Sequence, residues 1–234
     1  MLPLQKSDLI RKVLPDIRSN LSKHQPLELL PQHVRDVLPK MRTDRKASIL
    51  IPIIHIKGKP IPSLLFTTRS SNLKSHASQI SFPGGHIDTD LDGDCVVKAA
   101  VRETREELSH EGNVDSMAYD FDKGLEIIGH TAPIPSIHHI PVTPVLAAFK
   151  EEFSERDIET LFPGNKDEVA HVFTISIDEL LRMEGEEKLK RLGTKGPVYN
   201  SNHGKIWGLT ALVLKPYLDK VLAPSFSMNE VSRL

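Results

Sequence analysis

A single cysteine, a single tryptophan and aromatic residues at only 5% of 234 positions set the first limits on this chain. One cysteine, Cys95, excludes an internal disulfide and a multi-cysteine zinc cage, and fits a reducing compartment. Its expected role is that of a small apolar residue near a helix start. No apolar run approaches the roughly 20 residues needed to span a bilayer. The formal net charge of −1 supplies no basic field to attract nucleic acid and no acidic block to repel it. Neither nucleic acid nor a membrane is therefore an expected partner. Repeats and low-complexity tracts are also lacking. What remains is an ordinary soluble composition, 39% hydrophobic and 26% charged, at a length that suits one domain with extensions.

Residues 1–45 read as a helical N-terminal extension, with DLIRKVL and HVRDVLPKM as short amphipathic pieces interrupted by prolines. The domain proper is expected over 46–224, followed by a tail, 225–234. ASILIPIIHI (47–56) and SLLFTT (63–68) are strand-like, with a KGKP turn between them. A helix is expected over 93–108, strands over 125–131, 142–149 and 169–177, a short helix at IDELLRM, and a closing helix over 208–222. Many strands with few interposed helices predict an α/β (α+β) fold, a mixed sheet with helices packed on its faces.

The 93–108 helix ends in unusual charge, Arg102-Glu103-Thr104-Arg105-Glu106-Glu107. Val97, Val101, Thr104 and Leu108 form one stripe, expected to face the core. At about 100° per residue, Glu103, Glu106 and Glu107 share another arc. Two readings stand. One is a solvated acidic face with surface ion pairs. The other is a cation site, with Glu103 and Glu107 one turn apart on a single ion. Like charges at that spacing destabilise a helix slightly, and Arg102 lies N-terminal to Glu106, the poorer orientation. A helix selected for stability alone would not choose this order. A divalent cation removes the conflict, and Mg²⁺ and Mn²⁺ prefer carboxylate oxygens. Upstream, Pro83-Gly84-Gly85 permits a sharp turn, and Asp88, Asp90, Asp92 and Asp94 follow.

These residues resemble the Nudix box, G-x5-E-x7-R-E-U-x-E-E-x-G-U, whose R-E-U-x-E-E core is intact at Arg102 to Glu107. The preceding stretch is similar to the coenzyme A diphosphatase subgroup of that family. Arg69, Ser70, Leu73, His76, Gln79, Phe82, Pro83, Gly84, Gly85, Asp88 and Asp92 carry the match. NKDEVAHVFTISIDELL and IWGLTALVL extend it, so that it covers about residues 47–222. The resemblance implies a Nudix-type α/β/α sandwich and Mg²⁺- or Mn²⁺-dependent hydrolysis of a diphosphate. Coenzyme A or a derivative would give 3′,5′-ADP and (acyl-)4′-phosphopantetheine. The alternatives are another nucleoside diphosphate derivative, ADP-ribose or NADH, and a catalytically silent nucleotide-binding module.

By the same match, Glu103 and Glu107 would ligate metal, with Glu106 beside them and the Gly85 carbonyl completing the shell. Arg102 would orient the carboxylates. Glu168 stands where many members place a further carboxylate, a metal ligand or general base; the competing reading is a surface loop residue. Arg69, Lys74 and His76 are candidates for the substrate phosphates, by fork and point-charge recognition. His76 has an equal claim to ordering the FPGG turn. Trp207 is expected in the core rather than as an adenine platform.

Three departures accompany the match. Ser109 stands where the box ends in Gly, so either Ser109 is strained in a left-handed cap or the helix runs on to Gly112. Ser78 replaces a Gly in the loop before the box. The segment after Gly85 is long, which puts Asp94 at the acidic position by counting back from Arg102, with Asp92 as the alternative.

The ends carry address signals of differing quality. Charges break any apolar core near the start, so no secretory signal is expected. Arg, Lys and Leu there admit a mitochondrial presequence, which Asp8 and Asp16 oppose. Ser232-Arg233-Leu234 resembles the peroxisomal C-terminal tripeptide. A peroxisomal location and import receptor are expected, with the mitochondrion as alternative.

Overall fold

The computed structural model describes residues 4–23, 30, 32–42, 44–73, 75–110, 119–190 and 192–226. Lys74 and Ser232-Arg233-Leu234 lie outside the described residues.

Strand β1 (Ala47–Ile56) is apolar almost throughout and buried along nearly its whole length. Such a strand needs cover on both faces. It lies inside a sheet of order β3-β2-β1-β7-β5, with β2 (Ser63–Arg69), β3 (Ile80–Ser81), β5 (Leu125–His130) and β7 (Pro141–Phe153). Off this path, β4 (Gly84–His86) pairs with β1, β6 (Ile134–Pro135) with β7, and β8 (Val169–Ser176) with β2. The β1–β7 pair is parallel and the others antiparallel, so the sheet is mixed as expected.

Alternation along β1 divides the core. Ile51 and Ile53 face a cluster with helix α1 (Asp8–Ser22) and the closing helix. Leu50, Ile54 and Ile56 face a second cluster with helix α2 (Val96–Leu108), α3 (Glu155–Leu161) and a group of packed rings, Tyr119, Phe121, Phe149, Phe153 and Phe162. Helices thus cover both faces of the sheet, an α/β/α sandwich.

Within residues 1–45, α1 is continuous through Pro15, where interruption was expected. Proline costs a helix interior about 3 kcal/mol. Pro15 sits on the exposed side, while Ile10, Val13, Leu14, Ile17 and Leu21 are buried on the other. At about 1.5–3 kcal/mol per buried aliphatic side chain, that face outweighs the proline. Ser7 caps the helix by accepting from the Ile10 N–H, and its own N–H donates to the Lys150 carbonyl of β7.

Helix α4 (Ile177–Met183) matches its expected bounds, and the closing helix α5 (Gly208–Pro216) continues as a wider π-type turn over Tyr217–Leu222. A second antiparallel sheet, β11-β10-β9, was not anticipated; it comprises β9 (Glu184–Leu189), β10 (Thr194–Ser201) and β11 (Gly204–Ile206). Among the described residues no helix is long and apolar enough to cross a membrane.

Candidate functional site

Helix α2 presents a buried stripe displaced from the expected one. Ala100, Thr104 and Leu108 are fully buried, with Ala99 beside them, whereas Val97 and Val101 are only half-buried on the flank. Alanines let the helix backbone settle closely on the sheet, so the valines shift to its edge. The Thr104 hydroxyl is satisfied by donating to the Ala100 carbonyl at 2.6 Å. At i, i+4, i+7, i+8 from Ala100, the stripe places Glu107 where an apolar residue would normally stand. Glu107 is 3% exposed.

That burial governs the site. Oε2 of Glu107 has no hydrogen-bond partner, and the Arg69 Nη1 lies 3.9 Å from Oε1. Burial pushes the Glu107 carboxyl up to about 8; Arg69 opposes this, and the negative charges of Glu168 and Glu103 reinforce it. Glu103 is also raised, by burial first, with Glu106 and Glu168 adding to the effect against Arg102. Glu103, Glu107 and Glu168 therefore act on one another electrostatically, and the solvated-surface reading fails for Glu107 and Glu103. It holds better for Glu106, whose side chain is 40% exposed.

The glycines make room. Gly84 has φ +145°, and an added Cβ would collide with the β1 backbone at Ser48 and Ile49. At Gly85 an added Cβ would fall on the Glu103 carboxylate. The pair thus brings the β4 backbone against the helix glutamates, in line with the expected position of Gly85.

Arg102 organises the near side. Its guanidinium donates to Asp92 through Nε–Oδ1 (3.0 Å) and Nη2–Oδ2 (2.9 Å), and to the His86 carbonyl at 3.1 Å. It also pairs with Glu103 at 3.0 Å and Glu106 at 3.1 Å. Bidentate geometry of this kind fixes orientation as well as charge. The Arg102 hydrogen bonds hold the buried Asp92 carboxyl below its usual range. Counting back to Asp94 is thereby corrected: Asp94 is exposed and pairs with Lys46, and Asp92 fills the acidic position. The longer loop folds a single turn, Thr89–Asp92, which carries Asp92 inward.

Glu168 is held by an unforeseen loop. The Gly164 and Asn165 N–H groups donate to the Leu108 and Glu107 carbonyls, capping the C-terminus of α2 from outside. Asn165 then accepts the Glu168 and Val169 N–H groups, and the Glu168 carbonyl accepts from Ser70. With the carbonyls capped this way, α2 stops at Leu108 and Ser109 is extended at φ −77°. The expectation of a strained Ser109 or a helix running on to Gly112 is corrected. Ser78 is the departure that does carry strain, at φ +58°.

Arg69 ends β2 and reaches the glutamates. His76 does not meet them. It has φ +57°, and its Nδ1 lies 3.0 Å from Gln79 Oε1, so it orders its own loop. Two peripheral expectations fail. Trp207 is 48% exposed at the N-cap of α5 rather than in the core, and Cys95 is exposed at the N-cap of α2 rather than packed. The extended backbone each cap requires, not apolar packing, sets both positions.

Among the described residues no three His, Cys, Asp or Glu side chains converge as a closed metal cage. Mg²⁺ does not demand one, because it commonly takes one or two carboxylates and leaves the remaining positions to water and phosphate. The unpartnered Glu107 oxygen beside two mutually repelling carboxylates fits such a cation.

Residues 44–194 match the NUDIX domain family. Over 183 residues the chain is 33% identical to a protein described as "Uncharacterized Nudix hydrolase NudL" from Yersinia pestis (strain Pestoides F), covering 76% of this chain and 81% of that one. The namesake protein of Yersinia pseudotuberculosis serotype O:3 (strain YPIII) matches to the same extent. Similar solved structures include RenU, a Nudix hydrolase from M. smegmatis (TM-score 0.42, 16% identity, 58% of this chain and 73% of that one). Another is a C. elegans Ap4A hydrolase binary complex (TM-score 0.40, 18% identity, 58% and 84%). On the family match and the 33% identity to the Yersinia proteins, the chain belongs to the Nudix hydrolase family.

Proposed function

We propose that this Nudix hydrolase cleaves the diphosphate of coenzyme A or its derivatives, releasing 3′,5′-ADP and (acyl-)4′-phosphopantetheine. The observation that carries hydrolysis is the buried Glu107 carboxylate, unpartnered at one oxygen and set among Glu103, Glu168 and Arg69. The coenzyme A assignment is supported by the stretch from Arg69 to Asp92. Its first residue faces Glu107, and its last clamps Arg102.

Glu103, Glu107 and the Gly85 carbonyl would hold Mg²⁺ or Mn²⁺. When bound, such ions offset the charge on the phosphates and raise the nucleophilicity of water. The chain's own groups do the rest. Arg102, locked by Asp92, holds Glu103 and Glu106 in one orientation. Glu168, fixed on the loop that caps α2, takes the proton of the attacking water. The new bond forms from water oxygen to phosphorus, and the bridging P–O bond breaks toward the leaving phosphate. Arg69 offers a guanidinium to the phosphates, and Lys74 is proposed for the same role. His76 contributes by holding the loop.

The test is a product assay with coenzyme A, ADP-ribose and NADH in parallel, with Mg²⁺ or Mn²⁺. Release of 3′,5′-ADP from coenzyme A, absent in Glu107→Gln, is expected. Cleavage of ADP-ribose or NADH alone would overturn the coenzyme A assignment while leaving the chemistry. A folded protein that cleaves none of them would favour a binding module. Peroxisomal delivery through Ser232-Arg233-Leu234 is part of the same proposal. Imaging of an N-terminally tagged chain with and without these residues tests it, and unchanged localisation would refute it.

A further inference from the structure

Away from the glutamates, three rings from two different sheets lie nearly parallel. His171 and Phe173 sit on β8, two positions apart, with centroids 5.5 Å apart and planes 14° apart. His203, in the turn between β10 and β11, covers Phe173 at 4.0 Å and 16°. It lies 5.8 Å from His171 at 30°. Phe173 is thereby buried, while both imidazoles stay exposed.

The stack adjoins the proposed active site. His171 pairs in register with Thr68, and the next β2 residue, Arg69, pairs with Val169 across a bulge. The bulge changes the facing: Val169 packs with the α2-side cluster, whereas Phe173 packs with the other. Bulges beside active sites commonly re-aim side chains in this way. His171 follows Glu168 by three residues along the chain, which sets an upper bound of about 10 Å on their separation. That is the reach of a nucleoside between its 5′-phosphate and its base.

His203, at 4.0 Å, already seals Phe173, whereas His171 stacks on it more loosely at 5.5 Å and remains exposed. Histidine rings are among the side chains on which nucleobases stack. We propose that His171 and His203 form the stacking platform for the purine of the nucleotide half of the substrate, which bends over the end of β2 from the glutamates. Partial desolvation where it lies on Phe173, and the neighbouring His171, hold the His203 imidazole below its ordinary range, which favours the uncharged ring. This platform rests on the reading that the substrate is a nucleoside diphosphate derivative.

The experiment follows the histidine ring signals of the protein by NMR during titration with 3′,5′-ADP, 5′-ADP and 4′-phosphopantetheine. Signals of His171 and His203, assigned with His171→Gln and His203→Gln, are expected to move with both nucleotides and not with 4′-phosphopantetheine. In steady-state assays, His171→Ala and His203→Ala should raise KM for the hydrolysed substrate about five- to hundredfold, the range that base–aromatic stacking supplies, with kcat within about twofold. His203→Phe should restore KM. Thermal melts separate loss of the Phe173 cover from loss of binding, and the exposed His171 variant carries the test if His203→Ala fails to fold. Unmoved signals, or equal movement with 4′-phosphopantetheine, would overturn the platform even if coenzyme A is hydrolysed. Coenzyme A left intact, with both signals shifting on 5′-ADP, would retain the platform and refute the coenzyme A assignment.

Discussion

Replacing Glu107 by Gln should make the metal-free protein's stability less sensitive to pH. The carboxyl has an ordinary value of 4.5 and is pushed up to about 8 by burial in the folded state. The folded state thus binds this proton more tightly than the unfolded chain does. Stability contributed by the protonated carboxyl is fully present below pH 4.5 and is lost as pH rises toward 8. At 1.36 kcal/mol per unit, the span from pH 5 to pH 8 is worth roughly 3–4 kcal/mol. Glu107→Gln cannot titrate, so its stability relative to wild type should rise by about that amount over this interval. The buried amide costs a roughly constant 1–3 kcal/mol wherever it lacks a partner, which shifts the whole difference but not its slope. The assay is urea denaturation of both proteins in EDTA at half-unit steps from pH 5 to pH 8.5. A difference that stays flat would refute the argument that Glu107 is buried, with one oxygen unpartnered, in the absence of a cation. Repeating the series with Mg²⁺ should stabilise wild type above pH 7 and leave Glu107→Gln nearly unchanged.

Ser78→Gly should stabilise the protein by about 1 kcal/mol, because Ser78 holds φ +58° where an L side chain is penalised; no gain in the urea midpoint would count against this strain. Asp92→Asn should cost about 3 kcal/mol by leaving Arg102 without its buried partner, whereas Asp94→Asn should stay within about 0.5 kcal/mol. Equal losses in denaturation would contradict the assignment of Asp92 to the acidic position. Gly85→Ala should lower hydrolysis at least about tenfold by displacing the Glu103 carboxylate, with a smaller effect on the melting temperature. Undiminished turnover would show that the close approach of β4 to Glu103 is dispensable.

The elements legible in the sequence are those whose burial is simple. β1 runs Ala47–Ile56 as its continuous apolar run implies, and α4 keeps the bounds of IDELLRM. The β9–β10–β11 sheet was not legible because EGEEKL alternates no apolar face; its residues are half-buried or exposed, and pairing with TKGPVYNS supplies its order. Pro15 misled for the opposite reason. Local propensity opposes a helix there, and the buried face of α1 overrides it.

The site divides in the same way. Spacing puts Glu103, Glu106 and Glu107 on one arc, because helix geometry is local, whereas the parts expected of Arg102 and Gly85 come from the family resemblance. What spacing hides is which carboxylate is buried, since that depends on where the helix sits on the sheet, and alanines rather than valines decide it. It also hides long-range capping. Ser109 and Ser78 are equal as departures from a pattern, each a serine where glycine is usual. They differ in what surrounds them. The Gly164–Asn165 N–H groups satisfy the α2 carbonyls from across the fold, so Ser109 can remain extended. At Ser78 the loop itself demands a left-handed residue: the Ser78 N–H donates to the Arg69 carbonyl, and Gln79 accepts the Arg69 N–H. The strain at Ser78 is therefore borne by the same turn that holds Arg69 at Glu107, which ties the cost to the placement of the guanidinium.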